Sequence, residues 1–191
     1  MSINWSNDSS VFQVRPSGHK LLSAVNIDGS GSSAHTVTGI PNDASEVCIH
    51  LINHSLDGSG GAGQCNLRLG NGSVDSGNYY TWASCDGGGS NTTQTGNTTN
   101  KFELMTSNHT AEGHRVSGTI RLVRATHSEG RSYSGWIMTA QLGDHNNNLF
   151  FQSSGFYGTT GAIDRIYLFN SPGRGYDSGA RLMVTYQTGN Y

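Results

Sequence analysis

The chain has 191 residues, with 13% charged and 34% hydrophobic residues, 27 glycines, three prolines and a formal net charge of −2 at pH 7. This length suits one domain with a buried core, and the hydrophobic fraction with so small a net charge excludes a wholly disordered chain. The lack of basic clusters argues against nucleic-acid binding, and the lack of any run of about 18 apolar residues argues against a membrane-spanning helix.

Residues 1–33 have a mixed character. Their start, MSINWSNDSSVFQV, has no basic region followed by an apolar one, so we expect no secretory signal and synthesis in a cytoplasm. Residues 21–27 fit either a short strand or an arm, and residues 28–33 (DGSGSS) are typical of a flexible break.

From residue 34 onward, apolar and polar residues alternate with a period of two, which predicts β-strands. Residues 115–125 (RVSGTIRLVRA) form the longest such run, whereas residues 86–100 are predicted to be a polar loop. The predicted strands cover residues 35–40, 46–52, 64–70, 79–84, 101–106, 115–125, 134–142, 149–157, 162–170 and 180–187. Eight to ten strands at this spacing indicate an all-β antiparallel sandwich or barrel.

The last thirty residues predict a closing β-hairpin. Residues 162–170 (AIDRIYLFN) and 180–187 (ARLMVTYQ) are apolar runs that flank a turn rich in Gly, Pro, Asp and Ser. Arg165 and Arg181 each alternate with the apolar residues of their run, so we expect them to face outward or to contact another subunit.

No motif of catalysis or cofactor binding occurs in the structural context that it needs. Residues 58–63 (GSGGAG) match a dinucleotide-binding pattern, but a strand follows where that site needs a helix. No GxSxG motif and no recognisable pair of acids occur. The histidine pairs, His50 with His54 and His109 with His114, are interpreted as dispersed surface residues. We therefore predict a protein that is not an enzyme, with no cofactor and no metal site.

Two further predictions concern the redox state of Cys48 and the exposure of four aromatic side chains. The three cysteines include Cys48 within an apolar strand, where a reduced, buried thiol is expected. Adjacent aromatic residues in a strand point to opposite faces, so at least one of each pair is expected to face solvent or a neighbouring subunit. The aromatic side chains predicted to be exposed, and able to stack on sugars or contact a subunit, are Tyr79, Tyr80, Phe156 and Tyr157.

A series of ordered cues resembles jelly-roll virion proteins of cyanophages and other aquatic phages. The cues are GIPNDASEVCIHL (39–51), SLDG (55–58), NLRLGNGSVDSG (66–77), the pair Tyr79–Tyr80, SGTIRLV (117–123), GAIDRIYLF (161–169) and YDSGARLMVTY (176–186). They span about residues 34–187 and leave the first 33 residues outside. The resemblance therefore implies an N-terminal attachment arm over residues 1–33 and an antiparallel jelly-roll β-sandwich over residues 34–191.

The same resemblance implies a structural role on the phage particle. It predicts a structural protein of the virion, made in the host cytoplasm, that forms a homotrimer and contacts the major capsid protein or other virion proteins. The short N-terminal segment favours a capsid decoration or cement protein. The alternative is a tail-fibre or short-fibre module that recognises host surface glycan. Neither role involves nucleic acid or a membrane.

Overall fold

Thirteen β-strands account for the regular secondary structure described in the computed structural model of the chain. The structure describes residues 18–27, 33–54, 64–86, 93–104, 114–123, 131–141, 149–159, 162–171, 175–176 and 179–188. In chain order the strands are β1 (Lys20–Asn26), β2 (Ala34–Thr38), β3 (Ala44–His54), β4 (Gln64–Asn71), β5 (Ser73–Val74), β6 (Tyr80–Asp86), β7 (Thr93–Thr99), β8 (Phe102–Glu103), β9 (His114–Val123), β10 (Arg131–Gln141), β11 (Leu149–Tyr157), β12 (Arg165–Ser171) and β13 (Arg181–Thr188). Nowhere in these ranges is there a helix long and apolar enough to span a membrane.

The strands form two antiparallel sheets. The larger sheet has eight strands in the order β1-β13-β3-β9-β10-β11-β6-β7, and the smaller has the order β2-β12-β4-β5 with β8 also paired to β4. The first four strands alternate between the sheets, and so do the last two. The predicted all-β antiparallel class is confirmed, and the architecture is that of a β-sandwich.

One hydrophobic core receives side chains from both sheets, because the strands alternate as the sequence predicts. In β12 every second residue is buried, and β3 and β13 place apolar residues on the same inner side. Burying each such side chain contributes about 1.5–3 kcal/mol. The main members from the central strands are Val47, Ile49, Leu51, Leu67, Leu69, Ile166, Leu168, Leu182 and Val184.

The predicted closing hairpin is wrong, although both of its strands exist. Strand β12 lies in the smaller sheet between β2 and β4, whereas β13 lies in the larger sheet between β1 and β3. The connection therefore crosses from one sheet to the other instead of turning within one. Each strand is central in its own sheet and buries its apolar face against the common core.

The predicted polar loop at residues 86–100 contains the edge strand β7. Its sequence, TQTGNTT, has no apolar alternation, but it pairs with β6 from Tyr80↔Thr99 to Cys85↔Thr93. An edge strand pairs on one side only and can do so without an apolar face. The polar sequence of β7 therefore gave no sign of a strand. Strands β1, β5 and β7 raise the number of strands above the predicted eight to ten, and β8 lies within the strand predicted at residues 101–106.

The segment predicted as an arm contributes a strand to the larger sheet. Strand β1 pairs with β13 from Lys20↔Tyr186 to Asn26↔Arg181, and Leu22 and Val25 pack against the core. Residues 1–17 and 28–32 lie outside the described residues.

Tyr80 ties the two sheets together through its hydroxyl group. It is fully buried on β6 of the larger sheet, yet its hydroxyl donates to the Asp75 carbonyl oxygen at 2.8 Å and accepts from the Leu69 amide of β4 at 3.1 Å. Its ring packs edge-on against Phe102 and lies 4.8 Å from the Tyr157 ring. Burial raises the pKa of Tyr80 well above its usual value, so the hydroxyl stays protonated and can donate.

Candidate functional site

A shallow groove of about 480 Å³ lies where β11, β6 and β7 run side by side at one end of the larger sheet. We call it the β6–β7–β11 groove. The three strands are aligned by the pairs Phe156↔Thr81, between β11 and β6, and Trp82↔Gly96, between β6 and β7. The lining residues are Thr81, Trp82, Ala83, Thr95, Gly96, Asn97, Ser154, Gly155 and Phe156.

The groove combines an exposed aromatic ring with uncharged polar groups. Phe156 is 47% exposed, whereas Tyr79, which is 51% exposed, precedes β6 and is not among the lining residues. Threonine and serine hydroxyls and the Asn97 amide supply both donors and acceptors. The Thr81 hydroxyl already contacts Asn97 Oδ1 at 3.3 Å, which holds that amide at the edge of the groove. None of the described residues that line the groove is charged.

Strand alternation explains why two of the four predicted aromatic residues are exposed. Tyr79 and Phe156 point outward, as predicted, but the prediction of exposure is wrong for Tyr80 and Tyr157, which are 0% and 3% exposed. These two have the opposite parity and are directly paired across β6 and β11. The Tyr157 hydroxyl donates to Asp75 Oδ2 at 2.8 Å, so its polar end is satisfied inside the protein.

Gly96 shapes the floor of the groove from the core side. A Cβ atom at this position would lie 2.2 Å from Nε1 of Trp82, so only glycine leaves space for the indole beside β7. Gly155 pairs with Trp82 on the other side, from β11. The large indole therefore lies buried on β6 between two strands that offer no side chain beside it.

The two predicted arginines lie outside the groove. Arg165 holds Asp164 through two contacts, Nε to Oδ1 at 2.7 Å and Nη2 to Oδ2 at 2.9 Å. Asp164 in turn accepts from the Gly72 amide in the β4–β5 turn, so Arg165 supports that turn. This hydrogen bonding lowers the pKa of Asp164. Arg181 is exposed on β13 and pairs in register with Ile52. Contact of either arginine with another subunit stays a prediction.

A second aromatic surface, on the outside of the smaller sheet, is already occupied by its own side chains. Tyr167 and Phe169 stack with their ring centroids 5.1 Å apart, and the Arg68 guanidinium lies 4.8 Å from the Phe169 centroid. Arg68 also donates from Nε to the Asn100 carbonyl oxygen at 2.9 Å. These rings offer less free surface to a ligand than Phe156 does.

His54 is not the surface residue that the sequence predicts. The register of β3 against β9 shifts between Leu51 and His54, and Asn53 has a positive φ of 52°. This bulge exposes Ile52 and Asn53 in succession and turns His54 into the core, where it is fully buried edge-on to Tyr176. Burial lowers the pKa of His54 to about 4.

Other predicted sites have mixed outcomes. Cys48 and Cys65 are both free and buried, as expected for Cys48. Burial, reinforced by the neighbouring Glu46, raises the pKa of the Cys48 thiol to about 12. The glycine-rich segment 58–63, His109 and the side chains of Cys85 and His114 lie outside the described part of the structure.

No known family model matches the chain, and no curated protein matches it. Among solved structures, it is similar to the CBM2 module of the evolved Dit protein of Lactobacillus casei BL23 phage J-1. The identity is 9%, the match covers 94% of each chain, and the TM-score is 0.27. A similarity of this degree carries no argument about the function of the present chain.

Proposed function

We propose that this chain is a virion surface protein that binds an uncharged host glycan in the β6–β7–β11 groove. The single observation that carries the proposal is the composition of that groove: exposed Phe156, hydroxyl and amide groups around it, and no charged residue among those that line it. The virion setting rests on the sequence resemblance. The two antiparallel sheets agree with the β-sandwich class that the resemblance implies, and the jelly-roll topology belongs to the proposal.

Sugar rings suit this surface because they present both apolar and polar groups. A pyranose ring has a face of C–H groups, which packs on an aromatic ring, and a rim of hydroxyls, which need donors and acceptors. Phe156 supplies the aromatic surface, while Thr81, Thr95, Ser154 and Asn97 surround it with hydrogen-bonding groups. An acidic glycan would form no charge pair in an uncharged groove, so we infer that the ligand is a neutral glycan.

The groove favours the receptor-binding role over capsid decoration. A decoration protein needs a broad face that fits other capsid proteins, whereas a groove with one exposed ring and several hydroxyls fits a small polar ligand. We propose a fibre-like position at the tail for this chain. A few copies per particle at the tail are expected, and hundreds of copies on the head would instead support decoration.

The homotrimer also belongs to the proposal. Both sheets end in strands with an unpaired edge in the described structure, β1 and β7 in the larger sheet and β2 in the smaller. Association of copies would cover such edges. Light scattering is expected to give three times the 20.3 kDa mass of one chain, and a monomer at micromolar concentration would contradict this part.

Phe156→Ala tests the binding site itself. We expect the affinity for neutral oligosaccharides or host surface polysaccharide to fall about tenfold or more, because the stacking surface is removed. Isothermal calorimetry or a glycan array measures the change. Raising the salt concentration from about 50 to 500 mM is expected to leave binding nearly unchanged, because no charge pair contributes.

The matched control is Ile52→Ala. Ile52 is also an exposed hydrophobic residue of the larger sheet, at 39%, but it lies on β3, away from the groove. The Ile52→Ala variant should bind glycan with the same affinity as the unaltered protein. Equal losses in both variants, or none in Phe156→Ala, would contradict the proposed site. We also expect no reducing sugar to be released, since the described groove holds no carboxylate pair for hydrolysis.

A further inference from the structure

A compact group of metal-ligating side chains lies on the outer face of the larger sheet, at the opposite end from the groove. His19 directly precedes β1, while Glu46 and Cys48 are two residues apart on β3 and so share one face. Glu46 Oε1 lies 3.3 Å from His19 Nε2 and 3.3 Å from Cys48 Sγ. One ligand atom from each of the three residues falls within 4.8 Å of the other two.

We propose that His19, Glu46 and Cys48 bind one divalent transition-metal ion, with zinc the best match. Imidazole nitrogen, thiolate sulfur and carboxylate oxygen are the three ligand types that zinc takes in proteins, at about 2.0–2.3 Å. Three atoms already this close need only small side-chain movements to surround one ion. The thiol gives up its proton to solvent on binding, and a fourth tetrahedral position stays open to water or another ligand.

The surrounding residues hold the three ligands in a suitable orientation. Glu46 uses its two oxygens differently: Oε1 faces His19 and Cys48, while Oε2 pairs with the Arg121 guanidinium from the neighbouring β9. Arg121 can therefore keep its partner when Oε1 binds the ion. The Thr185 hydroxyl of β13 lies 3.5 Å from His19 Nδ1, which leaves Nε2 as the nitrogen turned toward Glu46. Such supporting contacts are usual around zinc ligands.

Charge balance also permits the ion. Glu46 and Cys48 are almost fully shielded from solvent, at 4% and 9% exposure. Two negative charges from the carboxylate and the thiolate would balance a divalent ion, and Arg121, whose side chain is 53% exposed, keeps its own charge largely in water. A monovalent or strongly hydrated ion such as magnesium would not match the sulfur and nitrogen ligands.

The inferred site would fasten the edge of the larger sheet. In the order β1-β13-β3, His19 at the start of β1 reaches across β13 to two ligands on β3. Metal binding would then stabilise the pairing of β1, the strand through which residues 1–17 join the domain. The site is independent of the proposed glycan groove, so either can fail without the other.

Cobalt(II) provides a spectroscopic test on the full chain under reducing conditions. We expect one cobalt ion per chain, with a thiolate-to-cobalt charge-transfer band in the near ultraviolet that zinc then bleaches. Cys48→Ser should abolish the band, and His19→Gln should weaken binding at least about tenfold, as loss of one ligand or its support does. Circular dichroism verifies that each variant is folded, and His19 lies at a strand end where replacement perturbs the core least.

The matched control is Cys85→Ser, which removes a thiol from β6, a strand separated from β3 by three others. It should keep both the band and the affinity. The proposal is overturned if cobalt gives no charge-transfer band with the unaltered chain, if the band persists in Cys48→Ser, or if only Cys85→Ser removes it. Zinc should also raise the melting temperature of the unaltered chain but not of Cys48→Ser.

Discussion

Replacing Tyr80 with alanine is expected to lower the free energy of unfolding by about 3–5 kcal/mol, the range for removing a large buried ring. The side chain is fully buried, packs on Phe102 and Tyr157, and links β6 of the larger sheet to β4 of the smaller one through Leu69. Its loss removes both packing and a hydrogen-bonded contact between the sheets. Urea denaturation of the two proteins measures the difference.

Two further variants distinguish the contribution of the Tyr80 ring from that of its hydroxyl, and the effect of a buried tyrosine from that of an exposed one. Tyr80→Phe keeps the ring but leaves the Asp75 carbonyl and the Leu69 amide without this partner, so a loss of about 1–3 kcal/mol is expected. Tyr79→Ala, one residue away but exposed, should stay within about 0.5 kcal/mol of the unaltered protein. If Tyr79→Ala proved as costly as Tyr80→Ala, the assignment of inner and outer faces on β6 would be wrong.

His54 is expected to make the protein lose stability in mild acid. Burial lowers its pKa from 6.5 to about 4 in the folded chain, so the unfolded chain binds a proton first as the pH falls. The folded state is therefore unaffected by this group above about pH 6.5 and is progressively destabilised below it. The loss is about 2 kcal/mol by pH 5 and reaches about 3 kcal/mol below pH 4.

The pH dependence of His54→Gln isolates this contribution. Unfolding free energies are measured at pH 7.5 and pH 5 for both proteins, and the variant should lose about 2 kcal/mol less between them. His35→Gln is the control, since His35 is only partly buried and its pKa is lowered by burial to a lesser extent. An unchanged pH dependence in His54→Gln would show that His54 is accessible to protons in the folded protein.

The alternation of residues predicts ten of the thirteen described strands, but it does not predict their partners. In the closing segment, Ile166 and Leu168 alternate in the same way as Leu182 and Val184, and both runs were correctly predicted to be strands. A turn rich in glycine and proline can join neighbours in one sheet or cross between two sheets. Burial of both strands against a common core decides between these, and that depends on distant residues in β2, β3 and β4.

Local irregularities limit how well the sequence predicts the direction of individual side chains. The bulge at Asn53 reverses the parity of β3 and turns His54 inward, which no period-two pattern can reveal. Strand β7 escapes prediction for a different reason, because its residues are polar and, among the described strands, pair with β6 alone.

The groove was predictable only in part. Phe156 is one of four aromatic residues predicted to be exposed, and alternation requires that only one member of each adjacent pair faces outward without saying which one. Thr81, Asn97 and Ser154 gave no signal, since threonine, asparagine and serine occur throughout the chain. Pairing of β6 with both β7 and β11 brings these polar residues around Phe156, and the sequence predicts neither pairing.

Chemical-shift mapping of a bound neutral oligosaccharide tests the proposed glycan site most directly. Titration of the isotope-labelled protein should shift the amide signals of Thr81, Asn97 and Phe156, together with those of their neighbours in β6, β7 and β11. Signals around Tyr167 and Phe169 on the smaller sheet should stay in place. Shifts centred on the smaller sheet, or no shifts with any neutral glycan from the host surface, would contradict the assignment of the groove as the binding site.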